Sequence, residues 1–374
     1  MKILVRNYLW SITPEIPRAG EGSAVLLRDG RIFLVYSRFQ GGGADHSTAD
    51  LFGGILSLPD GNLSETRVLF PAPEALNQMS VSLERLQDGS IGILFIRKLT
   101  PHTDQVFFAY SRDEAKSWSE PVNCSQCCPQ FPYLVVNNDR LRQFSTGRLA
   151  IPANFYARGA HTPENLELSR IGIIYSDDYG RTWQLSQHLI IEPENIIPPP
   201  VIAPDDPKAW DQWAKYQFRQ QEPGVEQLYD GSIYLYCRTT LGYMYHARSY
   251  DYGCTWTPLR PCLDLPSPCG PQSIRRIPGK KRLLCLYNDH HGQAFAGPNW
   301  SWRTPLTLAA SDDNGQSWQI LGEVEDNRHN YCYTSMLFLE DKLLLTEYES
   351  ENLEDGHRRN LANLKMQLVG DFDS

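Results

Sequence analysis

The sequence predicts an all-β fold: a six-bladed β-propeller built from repeated hairpins, with one short helical insertion. An octet with the pattern Ser-x-Asp-x-Gly-x-Thr/Ser-Trp begins at Ser176 and recurs at Ser249 and Ser311, with a weaker copy at Ser111. Its Asp can accept backbone N–H bonds across a turn, its Gly tolerates positive φ and its Trp supplies a large apolar anchor. Repetition at intervals of some tens of residues is typical of propellers and other repeat arrays.

A second signal, a turn between two β-rich runs, occurs six times. The turns lie at Asp29-Gly30, Asp88-Gly89, Thr146-Gly147, Asp230-Gly231, Pro278-Gly279 and Glu340-Asp341. Each except the last is followed by an octet or a degenerate relative, which after the first turn is the eroded segment Ser57–Gly61. Six hairpins predict six small antiparallel sheets. A propeller ring is commonly closed by strands from both termini, here 3–10 and 361–369.

The chain 1–374 is therefore interpreted as a single propeller domain with an insertion at about 186–221. In that interval Asp206-Pro207 has the form of a helix N-cap followed by Pro at the first helical position. A short helix carrying Trp210 and Trp213 is expected from there to Gln221.

Composition limits the partners. The formal net charge of −9 argues against nucleic-acid binding, and no apolar run approaches membrane-spanning length. No leader peptide is recognisable, so we expect a cytoplasmic protein, or a secreted one if a leader has been removed. Sequence leaves the oligomeric state open.

No cofactor or metal is expected. The nine cysteines are odd in number and scattered, which favours reduced thiols. Cys124-x-x-Cys127 has no partner pair at zinc-finger spacing, and the adjacent His290 and His291 would point to opposite faces of a strand.

Together, the octets, the hairpins and several segments between them resemble the sialidase (neuraminidase) superfamily, from about Pro17 to Glu349. The octets look like its Asp boxes, and the chain is most similar to bacterial sialidase-like proteins with BNR repeats. The strongest local match runs from Gln221-Glu222-Pro223-Gly224 to Cys237-Arg238-Thr239. The resemblance implies an exo-acting, retaining glycoside hydrolase that removes a terminal sialic acid or related acidic sugar from a small oligosaccharide or glycoside.

The resemblance also implies three catalytic positions. Tyr333, with Tyr331 as the alternative, matches the nucleophile; Glu222, with Glu226 as its rival, matches the base that activates it. The acid/base is expected in the Gly-rich loop that follows Arg38, where Asp45 matches and Asp50 is the alternative.

The remaining matches concern substrate binding. Arg238 and Arg303 match two members of an arginine triad that grips the sugar carboxylate. Ungapped counting from the Asp29-Gly30 turn places Glu21 at the third position, which Arg18 can fill only if about three residues are inserted. Arg38 is a further candidate substrate contact. The segment Asn137-Asn138-Asp139-Arg140 could line the expected depression or form a structural loop network. Glu347 or Glu349 is expected to be the carboxylate that orients an Arg, and the four tryptophans outside the octets, Trp210, Trp213, Trp300 and Trp302, could stack on sugar faces or belong to the core.

The chemistry explains these residue types. A sialoside bears a carboxylate on its anomeric carbon, so a neutral phenol avoids the repulsion that a carboxylate nucleophile would meet. With an ordinary pKa near 10 the phenol needs a base. Two departures from the family pattern, Glu21 and the absence of the usual second-blade Asp in Asn77–Ser82, concern substrate identity. They leave two alternatives: a glycosidase or lyase of this fold that acts on another sugar, and a non-catalytic carbohydrate-binding propeller.

Overall fold

The computed structural model describes residues 1–157, 169–196, 220–289, 302–351 and 361–373. Within these ranges the chain forms six antiparallel sheets and no α-helix. Five sheets have four strands, and the third has an additional two-residue strand. The architecture is a six-bladed β-propeller, which confirms the predicted fold class.

Each blade is a meander whose strands follow one another from the inner to the outer edge. Blade 1 contains β2 (Arg18–Leu26), β3 (Ile32–Gln40), β4 (Thr48–Ser57) and β5 (Asn62–Leu69), and blade 2 contains β6 (Asn77–Arg85), β7 (Ile91–Thr100), β8 (Thr103–Ser111) and β9 (Val122–Asn123). Blade 3 contains β10 (Tyr133–Val135), β11 (Arg142–Gln143), β12 (Leu149–Tyr156), β13 (Arg170–Ser176) and β14 (Gln184–Leu185), and blade 4 contains β15 (Gln221–Gln227), β16 (Ile233–Arg238), β17 (Tyr243–Ser249) and β18 (Arg260–Pro266). Blade 5 contains β19 (Ser273–Arg276), β20 (Leu283–Asn288), β21 (Leu306–Ser311) and β22 (Gln319–Glu325), and blade 6 contains β23 (Asn330–Leu339), β24 (Lys342–Ser350), β25 (Asn363–Gly370) and the N-terminal strand β1 (Lys2–Trp10).

The two ends of the chain close the ring. Strand β1 pairs antiparallel with β25, with Ile3 opposite Val369 and Tyr8 opposite Lys365. The N-terminal strand is thus the outermost strand of the last blade. This confirms the predicted closure.

The predicted turns and octets have separate places in each blade. The six turns join the first strand of a blade to the second, whereas the octets join the third to the fourth. The eroded segment Ser57–Gly61 occupies the octet position between β4 and β5. Because successive strands run in opposite directions, turns and octets lie on the same face of the propeller.

The octet at Ser176 shows how the repeated residues work. Asp178 Oδ1 accepts hydrogen bonds from Ser176 Oγ at 2.8 Å and from the backbone N–H of Thr182 at 2.9 Å, while its Oδ2 accepts from the Thr182 hydroxyl at 2.6 Å. Gly180 has φ of +84°, and a Cβ there would lie 2.3 Å from the Phe108 ring of blade 2. Glycine is therefore required both by the backbone conformation and by the close packing.

The hydrophobic core is divided among the interfaces between neighbouring blades. Phe108 of blade 2 and Trp183 of blade 3 share one cluster, with ring centroids 5.5 Å apart. Trp256 packs between blades 3 and 4, and Trp318 between blades 4 and 5. The octet tryptophans are thus packing residues that fasten each blade to the one before it.

Several predicted features lie outside the described residues. They are the short helix predicted to begin at Asp206, the candidate stacking residues Trp210, Trp213 and Trp300, and the pair His290 and His291. All nine cysteines are described, and none forms a disulfide. No described helix has the length and apolar character that crossing a membrane requires. Across the described ranges, no three His, Cys, Asp or Glu side chains are grouped so that they could hold a metal ion.

We expect Asp178→Ala to lower the free energy of unfolding by about 2 kcal/mol at pH 7, since several bonds to a charged acceptor are lost. Burial opposes ionisation, but the bonds from Thr182 and Ser176 outweigh it and lower the pKa of Asp178 to about 2. The stabilisation is therefore present above pH 4 and is lost as the pH falls towards 2. Thermal unfolding at both pH values measures the difference. The control is Arg181→Ala, an exposed position of the same octet; an equal effect of both substitutions would contradict the prediction.

Candidate active site

Four of the six inner strands carry a β-bulge at the same level. The pairing register shifts between Gly20 and Ser23 in β2, between Met79 and Ser82 in β6, between Gln221 and Gly224 in β15, and between Cys332 and Ser335 in β23. At each bulge one non-glycine residue has positive φ: Glu21 (52°), Ser80 (58°), Glu222 (46°) and Tyr333 (53°). A bulge re-aims a side chain that regular alternation would direct into a sheet face.

All four bulge side chains line one depression at the propeller axis, an open volume of about 450 Å³. Asp45 of blade 1, Lys98 of blade 2 and Asn137 of blade 3 also contribute to its wall. The depression is lined from five of the six blades, which is the convergence expected of a propeller site. It lies at the starts of the inner strands, on the face opposite the octets.

Tyr333 and Glu222 form the central pair of the depression. The Tyr333 hydroxyl lies 3.5 Å from Glu222 Oε1, which also forms an ion pair with Arg238 Nη2 at 2.8 Å. Asn137 Nδ2 donates to the other carboxylate oxygen at 3.0 Å. Burial, and then the negative charge of Glu222, raises the pKa of Tyr333 to about 12. The phenol is therefore protonated at neutral pH, and the carboxylate beside it is the group that can receive its proton.

The rival residues lie elsewhere. Tyr331 is buried, and its hydroxyl donates to Asp326 at 3.3 Å in a separate cavity at the rim of blade 6. Glu226 accepts from Arg142 Nε at 3.2 Å. Of these candidates, only Glu222 and Tyr333 lie together in the depression.

Arg238 and Arg303 stand beside this pair. Arg303 lies with its guanidinium carbon 5.4 Å from the centroid of the Tyr333 ring, and its Nη1 donates to Cys332 Sγ at 3.2 Å. Arg238 is 7% exposed, and its Nε and Nη1 are buried with no hydrogen-bond partner among the described residues. Buried donors without partners are rare in proteins, and a bound anion would satisfy these two.

The structure brings both Arg18 and Glu21 to the same corner. Arg18 Nη2 donates to Glu21 Oε1 at 2.7 Å, Nη1 donates to Asp45 Oδ1 at 2.6 Å, and Nε donates to the Tyr348 hydroxyl at 2.6 Å. Glu21 lines the depression, whereas Arg18 lies behind it between the rings of Phe39 and Tyr348. Both residues that the sequence offers for the third position are therefore present at this corner, and Arg18 is paired with two carboxylates.

Asp45 lies on the Gly-rich loop between β3 and β4, and its side chain is 64% exposed. Its carbonyl oxygen accepts bonds from Asn77 Nδ2 at 2.9 Å and from Lys98 Nζ at 3.2 Å, which tie the loop to blade 2. The alternative, Asp50, lies within β4 opposite Arg38.

Of the predicted substrate contacts, Glu21 lines the depression, whereas its wall does not include Arg18, Arg38, Asp139, Arg140, Arg238 or Arg303. Arg38 lies on the other side of blade 1, with its guanidinium carbon 4.0 Å from the Phe52 ring centroid. Asp139 accepts from the backbone N–H of Met336 at 3.1 Å, and Arg140 donates to Ser273 Oγ at 3.1 Å; both are buried. For Asp139 and Arg140 the geometry fits the alternative interpretation, a structural loop network.

Neither carboxylate proposed to orient an Arg does so among the described residues. Glu349 accepts from Lys365 Nζ at 2.8 Å and from the Tyr8 hydroxyl at 2.7 Å. Glu347 accepts from Gln367 Nε2 at 2.7 Å. Arg18 is instead oriented by Glu21, Asp45 and Tyr348.

Lys98 and Asp104, which sequence reasoning missed, also line the depression. They face each other across β7 and β8, and Lys98 lies 5.3 Å from the Tyr133 ring centroid. Asp104 Oδ1 accepts from the backbone N–H of Leu134 at 2.8 Å, and burial raises the pKa of Asp104 to about 8. Blade 2 thus supplies a carboxyl group to the depression from β8, although the segment Asn77–Ser82 of β6 has none. Only the register of the β7–β8 hairpin could have revealed it.

Comparison with known proteins gives a consistent family. The model of the BNR repeat-like domain matches residues 93–345, which is more than half of the chain. A sialidase of Bacteroides fragilis is 24% identical over 255 residues, which cover 67% of this chain and 40% of the relative. This chain thus spans less than half the length of that relative.

Two solved structures share the fold. Trypanosoma rangeli sialidase in complex with the inhibitor DANA matches with a TM-score of 0.70 and 15% identity, over 98% of this chain and 60% of that one. A protein of unknown function from Dyadobacter fermentans matches with a TM-score of 0.70 and 15% identity, over 99% and 98% of the two chains. The sequence match and the shared architecture together show that the chain belongs to the BNR repeat-like family, as a sialidase-like six-bladed propeller.

Proposed function

We propose that the chain is an exo-acting, retaining glycoside hydrolase of sialidase type, which cleaves a terminal sialic acid or related acidic sugar. The observation that carries this proposal is the contact of Tyr333 with Glu222 beside two buried arginines. A phenol next to a base suits a substrate whose anomeric carbon bears a carboxylate, because the neutral phenol is not repelled by it, and the neighbouring arginines can bind that carboxylate. The sialidases among its relatives support the substrate class.

In the proposed reaction Tyr333 attacks the anomeric carbon while Glu222 takes the phenol proton. Asp45 protonates the departing oxygen, so that an alcohol leaves and a glycosyl–tyrosine intermediate remains. Asp45 then takes a proton from water, which attacks the same carbon, and Tyr333 leaves and recovers its proton from Glu222. Two displacements at one carbon retain the anomeric configuration.

Arg238 and Arg303 would hold the sugar carboxylate. The protein carries a net charge of −9, so an anionic substrate depends on local cations. Arg238 lies beside the depression through its ion pair with Glu222, and its low exposure and partnerless Nε and Nη1 favour an anion at this place. Planar guanidinium groups suit a carboxylate because they bind it in bidentate fashion.

One observation favours the second candidate, a glycosidase or lyase of the same fold that acts on a different acidic sugar. Arg18, the third candidate for the anion grip, is already paired with Glu21 and Asp45. A panel of aryl glycosides of sialic acid, other ulosonic acids and uronic acids distinguishes the two candidates. Release from uronides without release from sialosides would favour the second candidate, and an unsaturated product would identify a lyase.

We expect Tyr333→Phe to lower kcat on an aryl sialoside by about 10³-fold or more, because the nucleophile is removed. The matched control is Tyr331→Phe, two residues along the same strand, which is expected to keep activity within about threefold since Tyr331 lies outside the depression. Steady-state release of the aryl alcohol measures both. Full activity in Tyr333→Phe would refute the assigned nucleophile.

We expect Asp45→Asn to affect substrates according to their leaving group. A sialylated sugar needs protonation of its departing oxygen, so its kcat/KM is expected to fall by about 10²- to 10⁴-fold, whereas an activated aryl sialoside loses much less in the glycosylation step. The control is Asp50→Asn, and kcat/KM for both substrates is the measurement. Equal losses on the two substrates would show that Asp45 is not the acid.

We expect Arg238→Lys and Arg303→Lys each to raise KM for the acidic substrate about tenfold or more, because an ammonium group cannot reproduce the bidentate contact. Arg38→Lys is the control, since Arg38 lies outside the depression. KM for an aryl sialoside is measured for all three variants. The proposed grip is wrong if the two pocket variants keep the KM of the unmodified protein.

A further inference from the structure

We propose that Glu21, supported by Ser80, determines substrate specificity: it accepts a hydrogen bond from a hydroxyl or ammonium substituent of the sugar and withholds Arg18 from the substrate carboxylate. This inference rests on the proposed function, because it concerns the same depression. It specifies the substrate as an acidic sugar that is held by two arginines and presents a hydrogen-bond donor towards blade 1.

Glu21 has the same backbone conformation as Tyr333 and Glu222, the central pair of the depression. It occupies a bulge at positive φ, as Glu222 and Tyr333 do, and its side chain lines the same depression. A bulky, charged residue in the left-handed region is strained and persists where the surroundings enforce it, often at a functional site. The backbone thus aims Glu21 at the ligand.

Glu21 is held firmly on both oxygens. Its Oε1 accepts from Arg18 Nη2 at 2.7 Å and from the Tyr348 hydroxyl at 3.3 Å, and its Oε2 accepts from Ser80 Oγ at 2.8 Å. The residue is 2% exposed. An ionised carboxylate has about four acceptor sites, so a further donor can still be accommodated.

The pairing also changes what Arg18 can do. Two carboxylates contact its guanidinium, one at each terminal nitrogen. A third carboxylate, that of a substrate, would approach Glu21 at short range in a poorly hydrated corner, where repulsion between like charges is strong. A neutral hydroxyl or a cationic ammonium group would instead be attracted. Glu21 therefore converts this corner from an anion site into an acceptor site.

The test measures binding of N-acetylneuraminic acid and of its uncharged methyl ester by titration calorimetry. We expect Glu21→Ala to bind the acid about tenfold more tightly than the unmodified protein, because Arg18 loses one of its two anionic partners. The methyl ester should gain nothing or bind more weakly, since it loses an acceptor and offers no charge. Glu21→Gln keeps the shape of the side chain. It should also bind the acid more tightly than the unmodified protein does, by a smaller factor than Glu21→Ala, and should not bind the methyl ester more tightly.

Two further variants isolate the cause. Ser80→Ala keeps the charge of Glu21 and should leave the affinity for the acid unimproved. The double variant Arg18→Ala/Glu21→Ala should lose the gain, which makes the gain a coupling between the two residues. Thermal unfolding midpoints establish that each variant is folded; if Glu21→Ala is not, Glu21→Gln carries the test.

Unchanged or weaker binding of the acid by both folded Glu21 variants would overturn the inference, as would a gain that survives removal of Arg18. These outcomes are separate from the fate of the proposed function. A protein that hydrolyses sialosides through Tyr333 but shows no gain refutes only the role of Glu21. If no sialoside is turned over, the gain still appears in binding, and the proposed reaction alone fails.

Discussion

The site depends on side chains held at positive φ by a short polar segment of blade 3, Asn137-Asn138-Asp139. Asn137 bonds the Glu222 carboxylate, and Asn138 Nδ2 donates both to the carbonyl of Gly22 at 2.8 Å and to that of Tyr333 at 3.0 Å. Asp139 accepts from the backbone N–H of Met336, just after the bulge in β23. Three consecutive side chains thus reach the inner strands of blades 1, 4 and 6. Since each left-handed bulge costs of order 1–3 kcal/mol, such ties make an unfavourable backbone persist.

Below this segment, a buried ion-pair network joins four inner strands. Arg275 lies 3.6 Å from Glu84 and 3.5 Å from Asp139, and Arg142 lies 3.2 Å from Glu226. Buried ion pairs contribute little net stability compared with apolar packing, but removal of one partner leaves a charge uncompensated. The network therefore fixes the relative positions of the blades more than it strengthens their association. It also explains why Glu226, so close in sequence to Glu222, cannot serve the phenol: its carboxylate is committed to Arg142.

Sequence reasoning predicted the fold well because the fold is repeated. Each of the three full octets combines a turn acceptor, a left-handed glycine and an anchoring Trp, and every copy adds to the same inference. A contact between side chains across the propeller axis occurs only once, so no repeated sequence pattern predicts it. Arg140 looked like a candidate beside the depression, yet its guanidinium reaches the inner strand of blade 5, where it donates to Ser273 Oγ. Lys98 and Asp104 carried no motif, and only the pairing of β7 with β8 brings them together.

The corner formed by Arg18 and Glu21 shows the physical limit most clearly. In a regular strand, residues three apart lie on opposite faces, so sequence alone suggests that one of the two must be turned away. The bulge between Gly20 and Ser23 adds a residue to β2 and removes this restriction, and both side chains enter the corner as an ion pair. A bulge at Glu has no residue signature comparable to Gly in a turn. The sequence therefore could not decide whether Arg18 or Glu21 faces the depression.

The two faces of the propeller carry different structural elements. Octets and turns occupy one face and interblade cores the middle, whereas the bulge residues open on the other face. A substitution at Glu21 or Ser80 therefore changes the charge and hydrogen bonding of the depression while leaving the octets and the interblade packing intact. We infer that the identity of the sugar is decided at a few inner-strand positions. Glu21 is prominent among them, because together with Asp45 it pairs the buried Arg18 guanidinium with carboxylates of its own chain.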